Sequence, residues 1–119
     1  MYSLKETQVL ANVVGAANAK RILFSGDYFD ADASVGLGLL DEIVEDPMEK
    51  SLAFASHMAS RAPMSVKGAK LAINAIAAGE MNNVSKEYEA LRARAADSRD
   101  YAEGRAAFME KRQPVFQGE

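Results

Sequence analysis

Helix start and stop signals divide this chain into short segments, and they limit what it can fold into more than any other feature. Asp46-Pro47-Met48-Glu49 is the clearest start. An aspartate cap accepts from the free N–H groups of a first helical turn. Proline at the first helical position sacrifices no hydrogen bond, and the glutamate three residues after the cap can reach back to it. Ser3-Leu4-Lys5-Glu6 is a second box of this kind. Asp30 is the expected cap of a short helix over 31–35, Asn82 or Asn83 of a later one, and Ser98 of a last helix carrying Tyr101, Phe108 and Met109. Gly15 offers a break, Gly26 and Gly79 offer ends, and Pro63 stops the helix begun at Pro47 near Arg61, because residues before proline avoid the α region.

Between these signals the apolar residues recur at helical spacing. The stripes are Val9, Leu10, Val13 and Val14; Ala19, Ile22 and Leu23; Leu52, Ala55, Met58 and Ala59; Val66, Ala69, Ile73 and Ile76; and Val84, Tyr88, Leu91 and Ala95. Leu39 to Val44 alone reads as extended, and it is too short to make a sheet by itself. The expected fold is mainly α, with about five to six helices and one short extended segment. Gly104 inside the last helix costs about 1 kcal/mol relative to alanine, so a close contact there is expected.

A length of 119 residues suits one compact unit. At 49% hydrophobic and 26% charged the chain is of ordinary globular composition, which argues against wholesale disorder. The net charge of −3 gives no basic footprint, so no nucleic-acid partner is expected. The lack of cysteine removes disulfides, thiolate metal sites and thiol nucleophiles, and fits a cytoplasmic home. The N-terminal residues show no basic-then-apolar signal, and no run approaches a membrane span, so neither a signal peptide nor a membrane association is expected.

Few constellations point to chemistry. His57 is the only histidine and has no local partner for acid–base work. Asp27, Asp30 and Asp32 lack the spacing of a calcium loop, and Gly36-Leu37-Gly38 lacks the third glycine of a dinucleotide fingerprint. Asp41/Glu42 and Glu45/Asp46 read as solvated charges and a cap. No metal site and no catalytic residue is assigned. Phe108, Lys111 and Arg112 differ, because they place a ring and two cations near a helix C-terminus. The helix dipole alone favours cations there. A ring beside a cation also suits a nucleotide, with the base stacked on one and a phosphate paired to the other.

Three stretches carry a resemblance to the enoyl-CoA hydratase/isomerase (crotonase) family. Thr7-Gln8 through Val14-Gly15 resembles the family's Thr-Gln…Val-Gly segment, although Lys5 and Glu6 stand where the family has two glycines. The block from Ala19 to Val44 is similar to the family's segment of spaced glycines and alanines ending in Gly-Leu-Val…Val. Most specific is Ser98-x-Asp100-x-x-Glu103-Gly104 followed by Ala107-Phe108-x-Glu110-Lys111-Arg112-x-Pro114-x-Phe116-x-Gly118. Ala62-Pro63 and Lys70 fit the helices between.

The resemblance implies chemistry on acyl-CoA thioesters, with an oxyanion hole for the thioester enolate and carboxylates that move protons. It implies that those groups precede the Thr-Gln segment, so these residues would be the C-terminal helical portion of the fold and inactive alone. Residues 1–45 would be a remnant of the crotonase core and 46–119 the C-terminal helical domain. No tightly bound cofactor is implied, and an acyl-CoA thioester would be the substrate of the complete enzyme. Phe108 and Lys111 are the implied contacts to the CoA adenine and phosphate. Trimers pairing into hexamers are the implied assembly, and a non-catalytic self-assembly or binding module is the alternative.

Overall fold

The computed structural model describes residues 1–119. It contains six helices and no strand: α1 Leu4–Ser25, α2 Ala31–Leu37, α3 Pro47–Ala59, α4 Pro63–Ala78, α5 Met81–Ala96 and α6 Arg99–Glu110. The sequence leads one to expect a single compact body. The chain instead forms two, Met1–Lys50 and Ser51–Glu119. The physical reason lies in α3, which spans the division and buries none of its residues.

In the first unit, Ser3 and Glu6 close the expected capping box: the Glu6 N–H donates to Ser3 Oγ at 3.2 Å and the Ser3 N–H to Glu6 Oε2 at 2.7 Å. The Ser3 N–H first, and the Ser3 hydroxyl donating to the same oxygen at 2.7 Å, hold the Glu6 carboxyl below its ordinary range. Gly15 bends α1 with φ 76 and ψ 160, a conformation open to glycine and not to a residue with a Cβ. Val14 and Ala19 are buried on either side of this bend, and Asn18 donates to the Leu37 carbonyl at 3.3 Å. Asp30 caps α2 through the Ala33 N–H at 2.8 Å. The helix runs to Leu37, beyond the expected end at 35. The Leu39–Val44 segment forms no strand, since it has no partner strand to complete its hydrogen bonds. Asp46 accepts from the Met48 and Glu49 N–H groups, both at 2.9 Å, and so starts α3 as the sequence indicates.

In the second unit, α4 and α5 pack together. Gly68 faces α5, and a Cβ there would lie in ordinary van der Waals contact, 3.6 Å from Leu91 Cδ2 and 3.9 Å from Tyr88 Cε2. On α5 the Val84, Tyr88, Leu91 and Ala95 stripe faces inward as expected, with Leu91 buried and the other three half-buried. The α4 stripe is corrected. Val66, Ala69, Ile73 and Ile76 are exposed, and the inward face is Gly68, Leu71, Ala72 and Ala75. This helix is apolar on two sides, so spacing alone did not select the packed one. The start of α5 is also corrected: Glu80 precedes it without a side-chain cap, because α4 ends at Ala78 and leaves only Gly79 and Glu80 for the reversal.

Candidate functional site

Ser98 caps α6 through the Tyr101 N–H at 3.0 Å, which sets the register of the residues after it. Asp100 then falls in the first turn and is the one buried charged residue, at 4% exposure. Its carboxylate accepts from the Gln117 N–H at 2.7 Å and the Gly118 N–H at 2.8 Å. Its own N–H donates to the Glu119 carbonyl at 3.0 Å. The segment 113–119 is therefore a strap folded back along α6.

Glu103, one turn further on, holds the other end of the strap. Arg112 donates to it through two nitrogens, Nη1 to Oε1 at 2.5 Å and Nη2 to Oε2 at 2.8 Å. The Val115 N–H adds a bond at 2.8 Å, and Arg112 Nε reaches Glu110 at 2.6 Å. Gly104 faces the Phe116 ring, but a Cβ there would lie 3.6 Å from it, ordinary van der Waals contact, so the close approach expected from the sequence is not what places a glycine here. A second glycine, Gly118, takes φ 83 against Pro63.

The Arg112 bonds, with the Val115 N–H second, hold the Glu103 carboxyl at about 2, below its usual 4.5. As pH falls below 4.5 the unfolded chain takes up a proton that the folded carboxylate refuses, so the lock's stabilisation declines from 4.5 and is gone below about 2. The Val115 amide proton is expected to titrate with a midpoint of about 2, and to lose that transition in Glu103→Gln. A midpoint at the ordinary carboxylate value, read by NMR, would show that the lock does not hold in solution.

A cleft of 570 Å³ opens beside this lock. Ala62, Met64 and Ser65 line it from the start of α4, Arg92, Ala95 and Ala96 from α5, and Tyr101, Gly104, Arg105, Phe108 and Met109 from α6, with Phe116 of the strap. Asp100 is the only acid on its wall, and its oxygens are taken by the strap. Phe108 is 82% exposed at its edge. Lys111 does not line the cleft; it ends α6 in a left-handed turn, its N–H directed at the Ala107 and Phe108 carbonyls. Arg112 is committed to carboxylates, which leaves Phe108 and Lys111 as the exposed ring and cation of the three residues.

Residues 3–119 match the enoyl-CoA hydratase/isomerase family. The chain belongs to that family. It is 32% identical over 119 residues to the mitochondrial methylglutaconyl-CoA hydratase of Rattus norvegicus, covering 95% of this chain and 38% of the relative. It is 30% identical over 122 residues to the methylmalonyl-CoA decarboxylase of Escherichia coli K12, covering 98% of this chain and 46% of that one. Among solved structures, an enoyl-CoA hydratase/isomerase family protein from Hyphomonas neptunium superposes with a TM-score of 0.81 at 30% identity, over 100% of this chain and 46% of that one. The chain thus spans less than half the length of these relatives. The mainly helical architecture is a portion of the crotonase fold.

Within the family pattern, the structure gives the C-terminal motif a physical basis. Asp100, Glu103, Gly104, Arg112, Phe116 and Gly118 build the strap and its lock. Reading the sequence missed this role, because each partner lies many residues away. Among the other acids weighed from the sequence, Asp30 and Asp46 cap helices and Glu42 pairs with Lys50 at 3.2 Å. Neither nitrogen of the His57 ring faces an acid; Arg61 Nη2 lies 2.7 Å from Nε2. No group of three His, Cys, Asp or Glu could hold a metal ion, and no helix is long and apolar enough to cross a membrane.

Proposed function

We propose that these residues serve as the C-terminal helical, CoA-contacting and assembly part of an enzyme that acts on acyl-CoA thioesters. Phe108 and Lys111 contact the adenine and a phosphate of the CoA moiety, and the acyl-CoA is a substrate, with no tightly bound cofactor. The observation that carries this reading is the free aromatic ring and free cation at the end of α6, in a chain of this family. The relatives' names include both a hydratase and a decarboxylase, so the reading stops at the thioester and does not choose the reaction. The absence of cysteine suits a reducing compartment such as the cytoplasm.

The 119 residues are inactive alone on this reading, since the one acid in the cleft is spent on the strap. The purified chain is expected to show no hydration of crotonyl-CoA above the uncatalysed rate. Turnover that scales with protein concentration would overturn the assignment.

Self-association is the second reading, favoured by one observation: Leu52, Phe54 and Met58 on α3 and Val66, Ile73 and Ile76 on α4 are all exposed. Exposed apolar residues, where they join into a large patch, mark an interface in soluble proteins. Light scattering over a concentration series is expected to show association, and a monomer throughout would count against it.

A further inference from the structure

The last helix ends unlike three that precede it. Helices α1, α2 and α4 end on Gly26, Gly38 and Gly79, left-handed at φ 64, 78 and 71. Helix α6 ends on Lys111, at φ 55 and ψ 37, and Lys111 is the only non-glycine residue with positive φ. A side chain with a Cβ is disfavoured there, and lysine lacks the short polar group by which asparagine or aspartate compensates. Glycine would make the same turn at lower cost. Such an outlier is the kind of observation from which a functional role is inferred.

The turn is held on both sides. The Lys111 N–H reaches the Phe108 carbonyl at 3.3 Å and the Arg112 N–H the Ala107 carbonyl at 3.0 Å. Every guanidinium nitrogen of Arg112 has an acceptor: Glu103 takes Nη1 and Nη2, and Glu110 takes Nε. Glu103 belongs to the body of α6, eight residues before Lys111. The pair therefore ties the chain just after the turn to the helix before it, and Lys111 is left with its side chain in solvent.

We infer that the Glu103–Arg112 pair is a positioning device for Lys111, fixing the left-handed turn that presents the ammonium to a ligand phosphate while Phe108 meets the base. This rests on the CoA-contact reading proposed above. Neither Glu103 nor Arg112 touches the ligand on this account, because their polar atoms are committed to one another, to the Val115 N–H donor and to the Glu110 acceptor. The left-handed turn is what the pair contributes.

The test is an NMR titration of the whole chain with coenzyme A and, separately, with adenosine, which keeps the base and lacks every phosphate. Lys111→Ala is expected to weaken coenzyme A on the order of tenfold and to leave adenosine unchanged. Glu103→Gln is expected to weaken coenzyme A about threefold, leave adenosine unchanged and move the Lys111 backbone shifts out of the left-handed range. Arg112→Lys, which keeps the charge and loses the fork, should do the same to a smaller degree. Lys111→Gly should raise Tm by a few degrees and still weaken coenzyme A as the alanine variant does. If Lys111→Ala weakens binding and both lock variants bind as wild type, the inference fails and the contact reading stands. Equal losses for coenzyme A and adenosine in the lock variants would make the pair merely structural and overturn it. If Lys111→Ala itself binds coenzyme A as wild type, the contact reading fails and takes the inference with it.

Discussion

Replacing Asp100 with alanine is expected to release the C-terminal strap and to destabilise the second unit by about 2–4 kcal/mol, since bonds to a charged acceptor contribute about 1.5–3 each and solvent repays part of the loss. Asp100 is buried, and its two strap bonds are short. Its position also favours an acid, since it lies in the first turn of α6, at the positive end of the helix dipole. Asparagine is the informative comparison. It keeps the volume but has one carbonyl oxygen where the aspartate has two acceptors, so one of the Gln117 and Gly118 N–H groups would face an amide N–H. The asparagine variant should therefore lie between alanine and wild type. Urea unfolding reads the loss, and hydrogen exchange at Gln117 and Gly118 locates it. A wild-type midpoint with both amides still protected in Asp100→Ala would mean that another contact holds the strap.

That carboxylate also shows where reading the sequence stopped. Helix starts that depend on a residue three positions away were legible: the Ser3–Glu6 box and the Asp30, Asp46 and Ser98 caps all form as their spacing indicates. The strap was not legible. Asp100 lies 17 and 18 residues from its partners, and Glu103 lies nine from Arg112 and 12 from Val115. No local rule links residues at such separations. The family resemblance marked these positions without giving their physical cause. The helix cost of Gly104 pointed to a close contact, yet its neighbour Phe116 stands at ordinary van der Waals distance from a Cβ built there.

The candidate site divides the same way. A ring and a cation near the end of α6 were visible in the sequence, and Phe108 does stand exposed at the cleft edge. What could not be read was that Arg112 is used up by Glu103 and Glu110, while Lys111 bends left-handed and stays free. Periodicity failed at α4 because the helix is apolar on two faces, one packed on α5 and one exposed. A stripe records which apolar residues share one side of a helix. It does not say which neighbour covers each of them. The apolar residues Leu52 and Met58 of α3 and Val66, Ile73 and Ile76 of α4 share a helical spacing and are exposed.

Leu91→Ala is expected to cost about 2–4 kcal/mol, within the range for leucine truncation in a buried site. Leu91 is the only large apolar side chain buried in the second unit; the other buried apolar side chains there are those of Ala75 and Ala107. The α4–α5 contact thus rests on it more than it would in a larger core. The opposite partner gives a change of opposite sign. A Cβ at Gly68 would sit 3.6 Å from Leu91 Cδ2, ordinary van der Waals contact, so Gly68→Ala should gain most of the roughly 1 kcal/mol by which alanine exceeds glycine in a helix. The two substitutions share one contact and should not add. With leucine shortened at 91, the methyl added at 68 has less to pack against, but it also occupies some of the space opened. Urea unfolding of the two single variants and the double measures this coupling. If Leu91→Ala unfolds at the wild-type midpoint, α4 and α5 are not held by this contact in solution, and the inward face assigned to α5 would have to be abandoned.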